Sequence, residues 1–126
     1  WQLVRNNNSF LVKRNGVSLS REPGNLLNKH SFKYSGLLKK TVGVSQVGTS
    51  VEISTKIARK TRKPASSIEK SKHYKSVRSL APGIKKNLEF YRPDLTDAVL
   101  GRISRYQYTK RTIKPATARK PRGNKA

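Results

Sequence analysis

Cysteine and methionine are absent from this 126-residue chain, and acidic residues number only six. Without Cys there is no disulfide, no thiolate zinc site and no Cys nucleophile. No apolar run approaches the ~18 residues that a membrane span needs, and no stretch at the start reads as a signal peptide. The lack of Met leads us to expect residues ahead of Trp1. The six scattered carboxylates offer no paired acid and base. The two histidines, His30 and His73, sit near no recognisable nucleophile motif and are too few for a His-based metal site. No Gly-rich loop ends in Gly-Lys-Ser/Thr. Asn7-Asn8-Ser9 matches a glycosylation acceptor, but three-residue matches are cheap. The chain is therefore expected to be no enzyme, with no cofactor, no metal and no small-molecule substrate.

What is abundant is positive charge. Lys and Arg total 29, giving a formal net charge of +23. So much like charge on a small chain repels itself and calls for a polyanion. Nucleic acid fits, because each neutralised phosphate releases condensed counterions. A binder of anionic membrane surfaces would concentrate its charge on one amphipathic helix with a broad apolar face. Here the cations run through the whole chain, which favours a partner that surrounds it. Residues 1–58 hold nine Lys/Arg against two acids, and residues 59–126 hold twenty against four. Val, Ile, Leu and Phe run the other way, 18 of 58 and then 11 of 68. The first part can build a small core. The second must order on the first or on a partner.

The predicted elements give an α+β class: a small, mostly antiparallel β-sheet body over residues 1–58, then short helices, then an extended basic tail. Gln2–Arg5 and Ser9–Lys13 are β-prone. Asn15-Gly16 separates Leu11-Val12-Lys13 from Val17-Ser18-Leu19-Ser20 and is a strong hairpin signal. Ser31-Phe32-Lys33-Tyr34 reads as a strand with Phe32 and Tyr34 on one face. Thr41–Val47 and Ser50–Thr55 flank Gly48-Thr49 as a second hairpin. Trp1 and Phe10 read as sheet core. Residues 59–108 read as a basic linker and helical segment packing on the body. Residues 66–79 have weak helical character. Pro82-Gly83 interrupts before a helix from Ile84 to Phe90. Pro93 opens a further helix to about Tyr108, with Asp94 and Asp97 at its positive end. Leu95, Ala98, Val99, Ile103 and Tyr106 form its apolar stripe, which Arg102 blemishes. Residues 109–126, with Pro115 and Pro121, form the tail.

Candidate RNA-binding residues follow from the charge clusters. Arg59, Lys60, Arg62 and Lys63 form one cluster. Lys110, Arg111, Lys114, Arg119, Lys120, Arg122 and Lys125 form another. Lys13, Arg14, Arg92, Arg102 and Arg105 are further candidates. Lys39 and Lys40 are included too, although, like Lys85 and Lys86, they read equally as an ordinary exposed pair. Basic runs of this length also match nuclear-import signals; the overall charge favours phosphate contacts. Tyr108 beside these cations reads equally as a base-stacking platform or as an ordinary surface residue. Sequence-specific readout needs side chains held rigidly at base edges. No helix-turn-helix or ribonucleoprotein aromatic motif is present. The expected mode is backbone and shape recognition of folded RNA.

Five blocks in order carry a resemblance. They are WQLVRNNNSFLVKRN over Trp1–Asn15, Glu22-Pro23-Gly24-Asn25-Leu26, Ser31-Phe32-Lys33-Tyr34-Ser35-Gly36-Leu37, Lys40-Thr41-Val42-Gly43-Val44 and Tyr91-Arg92-Pro93-Asp94-Leu95. Together they resemble the eukaryote-specific family of large-subunit ribosomal proteins numbered twenty-eight, which is unrelated to the bacterial protein of that number. Residues 64–90 match less closely, with Pro82-Gly83 where a more continuous helix is expected. The tail matches only in being basic. The resemblance implies a non-enzymatic constituent of the cytosolic 60S subunit, assembled in the nucleolus. Its implied partners are large-subunit rRNA and neighbouring ribosomal proteins, with no membrane and no homo-oligomer. A related domain occurs in a nucleolar large-subunit assembly factor, richer in Cys and with an acidic extension; that is the alternative reading. A basic chromatin protein and an enzyme acting on RNA are the remaining rivals.

Overall fold

The computed structural model describes residues 1–37, 40–111, 113–117 and 123. Strands β1 (Leu11–Arg14), β2 (Val17–Ser20), β3 (Val42–Val47), β4 (Ser50–Lys56) and β5 (Ile68–His73) precede helices α1 (Val77–Glu89) and α2 (Thr96–Thr109). This is the expected α+β arrangement. Single 3-10 turns lie at Ala58–Lys60, Pro64–Ser66 and Pro93–Leu95.

Both expected hairpins form. In β1–β2, Arg14 lies opposite Val17, leaving Asn15 and Gly16 as the loop. Both have positive φ, 45° and 75°, the conformation whose twist suits a two-residue hairpin. In β3–β4, Val47 lies opposite Ser50 across Gly48-Thr49. The antiparallel register sets Val44 against Ile53 and Gln46 against Val51. Period-2 alternation then puts Val42, Val44, Val51 and Ile53 on one face, where all four are buried. The helices cover that face. Leu80, Ile84 and Leu88 of α1, Val99 and Ile103 of α2, and Leu26 and Leu95 complete the core.

Several sequence expectations are corrected. Residues 68–73 are not helical: β5 pairs antiparallel with β4 and completes the sheet order β3-β4-β5. Its side chains, Ile68-Glu69-Lys70-Ser71-Lys72-His73, are polar on both faces and largely exposed. Backbone pairing to β4 recruits it, and a Glu52–Lys70 ion pair at 3.2 Å adds to the register. Ser31–Tyr34 forms turns, with the Ser35 N–H donating to the Phe32 carbonyl. Tyr34 packs on the core, whereas Phe32 is 60% exposed. Gln2–Arg5 is also a turn, whose Val4 and Arg5 N–H groups donate to the Trp1 carbonyl. Neither Trp1 nor Phe10 belongs to the sheet core. Trp1 instead packs on His30 and Phe32, with ring centroids 5.0 and 6.1 Å away.

Helix α1 begins at Val77 and runs through Pro82. A proline inside a helix costs ~3 kcal/mol. Burying Leu80, Ile84 and Leu88 contributes about 1.5–3 kcal/mol each, which outweighs it. The helix after Pro93 starts as a 3-10 turn and becomes α-helical at Thr96. Its stripe forms as expected, with Ala98 and Tyr106 at the margin of the core.

Candidate nucleic-acid interface

The candidate cations fall into two classes, those that face solvent and those that hold the chain together. Lys13 and Arg14 are exposed at the end of β1, beside the Asn15-Gly16 turn. Lys40 is exposed just before β3. Arg59, Lys60, Arg62 and Lys63 are all exposed on the connection between β4 and β5. That connection is well defined locally. The Ile57 N–H donates to the Ser67 carbonyl at 2.8 Å and closes its base. The Lys60 and Lys63 N–H groups donate to the Ile57 and Lys60 carbonyls, and the Thr61 hydroxyl donates to the Ala58 carbonyl at 2.7 Å. Four cations thus sit on a loop whose backbone is already ordered.

The loop stands over a cavity of about 400 Å³, lined in part by Pro23, Gly36, Lys56, Thr61 and Pro64. Lys56 donates to the Gly36 carbonyl at 3.2 Å. Burial lowers its ammonium pKa. Glu22, almost fully buried, accepts from the Ser35 hydroxyl at 3.0 Å and the Gly36 N–H at 2.7 Å. The Tyr91 hydroxyl donates to the Lys56 carbonyl at 2.8 Å, and burial raises its pKa. These contacts fix the loops that carry the cations.

Arg92 and Arg102 belong to the second class. Arg92 donates to the Lys40 carbonyl at 2.8 Å, the Lys33 carbonyl at 3.0 Å and both oxygens of Asp94. A guanidinium has five N–H donors, and these four hydrogen bonds all end within the chain. Arg102 donates to the Leu26 carbonyl at 3.0 Å and the Tyr106 hydroxyl at 3.1 Å. That explains how a cation is tolerated beside the apolar stripe of α2.

A second basic surface forms where the start of α1 meets the end of α2. Gln107 joins them. Its Oε1 accepts from the Val77 N–H at 2.9 Å, and its Nε2 donates to the Lys75 carbonyl at 2.8 Å. Beside it lies an open groove of about 610 Å³, lined by Arg78, Arg105, Tyr108 and Arg111 among others. The guanidiniums of Arg105 and Arg111 lie 5.9 and 5.7 Å from the Tyr108 ring centroid. Lys110 donates to the Thr49 carbonyl in the β3–β4 turn. Lys114 is exposed in the irregular stretch 113–117. Lys39, Arg119, Lys120, Arg122 and Lys125 lie outside the described residues. Arg78 and Gln107 were not among the sequence candidates. Arg78 is a lone cation, and only the packing of α1 on α2 brings it to the others.

Among the described residues, no helix is long and apolar enough to cross a membrane. Nor do three or more His, Cys, Asp or Glu residues gather there in a group that could hold a metal.

Residues 1–109 match the family described as the ribosomal L28e protein family. A large ribosomal subunit protein eL28 from Dictyostelium discoideum is 42% identical over 127 aligned residues, covering 98% of this chain and 96% of its own length. The protein of the same name from Trypanosoma cruzi is 32% identical over 127 residues, covering 99% of this chain and 86% of its own length.

Proposed function

The chain belongs to the ribosomal L28e protein family, and from that premise we propose that it is a structural constituent of the cytosolic large ribosomal subunit, binding rRNA through Lys and Arg contacts to phosphate. The family is structural rather than enzymatic. The observation that carries the rRNA part is the imbalance of charge. Six carboxylates cannot neutralise 29 cations. Three of the six are already used inside the fold, Glu22 by backbone and hydroxyl donors, Glu52 by Lys70 and Asp94 by Arg92. The remaining positive charge needs phosphate to offset it. Arg pairs with phosphate in a bidentate manner, and Lys acts as a point charge.

In this reading residues 1–58 give most of the body, residues 59–108 add β5 to its sheet, pack the helices on it and present the basic loop, and residues 109–126 thread between RNA helices. Lys13, Arg14, Lys40, the loop at 59–63, Arg105, Tyr108 and the tail cations face RNA. Arg92 and Arg102 position the fold. Neighbouring ribosomal proteins are the remaining partners, and assembly takes place in the nucleolus.

The test is sedimentation of extract from cells carrying the tagged chain, in moderate salt. Co-migration with mature large subunits and polysomes is expected. Confinement to nucleolar precursors would make the chain an assembly factor, and recovery with chromatin would overturn the proposal. A chain ending at Thr109 should keep its circular dichroism spectrum and bind rRNA more weakly. Unchanged affinity at physiological salt would remove the tail from the interface.

A further inference from the structure

We infer that the groove between the start of α1 and the end of α2 takes a single unpaired nucleotide of the RNA, with its base on the Tyr108 ring and its phosphates on Arg78, Arg105 and Arg111. This rests on the rRNA-binding reading and adds a subsite to it. Tyrosine in a small α+β body ordinarily packs its ring and hydrogen-bonds its hydroxyl. Tyr106, two residues earlier, does both: it joins the core margin and meets Arg102 and the Val44 carbonyl. Tyr108 is 61% exposed. Its ring lies in an open groove rather than against the core.

The surroundings of that ring set the chemistry of its occupant. Three guanidinium-bearing residues line the groove. Among the described residues, no carboxylate does so. Two of the guanidiniums already lie over the ring, 5.9 and 5.7 Å from its centroid, so the base stacks as a guanidinium swings from the ring to phosphate. An anion with a flat, π-bearing body matches both properties, and a nucleotide is such an anion. Stacking needs an accessible ring face, and a base inside a continuous duplex offers none. The occupant is therefore a base that has left the helix, at a bulge, a loop or a strand end. A groove of about 610 Å³ has room for one such nucleotide. Gln107 preorganises the site. By bonding to both Val77 and Lys75, it holds the α1 end, and with it Arg78, against the turn of α2 that carries Tyr108.

The experiment uses the full chain and two RNA hairpins of equal length, one fully paired and one with a single-nucleotide bulge carrying 2-aminopurine. Affinities are measured at matched salt. The intact chain should prefer the bulged hairpin by about tenfold, the order that base–aromatic stacking supplies. Its binding should quench the 2-aminopurine. Tyr108→Ala should abolish both the preference and the quenching. Tyr108→Phe should retain both. Circular dichroism checks folding, which an exposed ring should hardly affect. If the paired and bulged hairpins bind equally, or if Tyr108→Ala keeps the preference, the nucleotide site is wrong and the wider rRNA reading survives. If neither hairpin binds at physiological salt, both fall together.

Discussion

Arg92 grips the Asp94 carboxylate with two bonds, one from Nε at 2.7 Å and one from an η nitrogen at 2.8 Å. The same guanidinium reaches back more than fifty residues to the carbonyls of Lys33 and Lys40. One planar side chain therefore ties the loop before β3 to the 3-10 turn that opens α2. The bond to Asp94 raises the guanidinium pKa above its usual value, and the bond to Arg92 holds the Asp94 carboxyl below the usual carboxylate value.

Arg92→Lys keeps the charge and loses the fork. It should lower the unfolding free energy by about 1–2 kcal/mol, measured by urea denaturation. The folded variant should bind RNA as the parent does, because this guanidinium works inside the chain. Normal stability with weakened RNA binding would reverse that assignment.

Acid should weaken the same clamp. The folded carboxyl of Asp94 has a lower pKa than the unfolded one, so the unfolded chain binds more protons between the two values and stability rises with pH there. Its contribution is fully present above the unfolded pKa, ~3.9, and is lost as pH falls through the depressed folded value. Asp94→Asn should flatten this part of the pH–stability curve. An unaltered curve below pH ~4 would show that the pair contributes nothing.

Two glycines should respond in opposite directions to alanine. A Cβ on Gly36 would lie 2.0 Å from the Pro23 carbonyl oxygen. The backbone must move to relieve this, at a cost of about 1–3 kcal/mol. A Cβ on Gly101, inside α2, meets nothing within 4 Å. Gly101→Ala should stabilise the helix by about 0.5–1 kcal/mol. Thermal melts of the two variants check both signs.

Replacing Arg59, Lys60, Arg62 and Lys63 by Ala should leave the melting curve nearly unchanged, since all four are exposed. The plot of log affinity against log salt should become shallower by about three to four, at ~0.9 for each phosphate no longer neutralised. A constant slope would show that this loop touches no phosphate.

Local features of the fold were legible in the sequence, and relationships between distant segments were not. Asn15-Gly16 and Gly48-Thr49 announce their hairpins because a turn is decided by a few adjacent residues. The α2 stripe is legible because Leu95, Val99 and Ile103 repeat at the helical period. Strand β5 is not, since neither of its faces is apolar and its place depends on the free edge of β4. The first turns of α1 are hidden behind Pro82, whose local cost is overridden by tertiary burial. For the interface, the basic clusters are plain in the sequence. The use of Arg92 and Arg102 is not, because their acceptor carbonyls lie 52 to 76 residues away. The meeting of Arg78 with Tyr108 likewise depends on how two helices pack.

Strand β5 also bears on the fate of copies that have not yet met RNA. It is one of the two outer strands of the three-stranded sheet, and an outer strand invites stacking with its like. Lys70 and Lys72 are both exposed on it, and the Lys70 ammonium also pairs with Glu52. Two molecules approaching through this strand would bring ammonium groups together, which disfavours pairing along that edge.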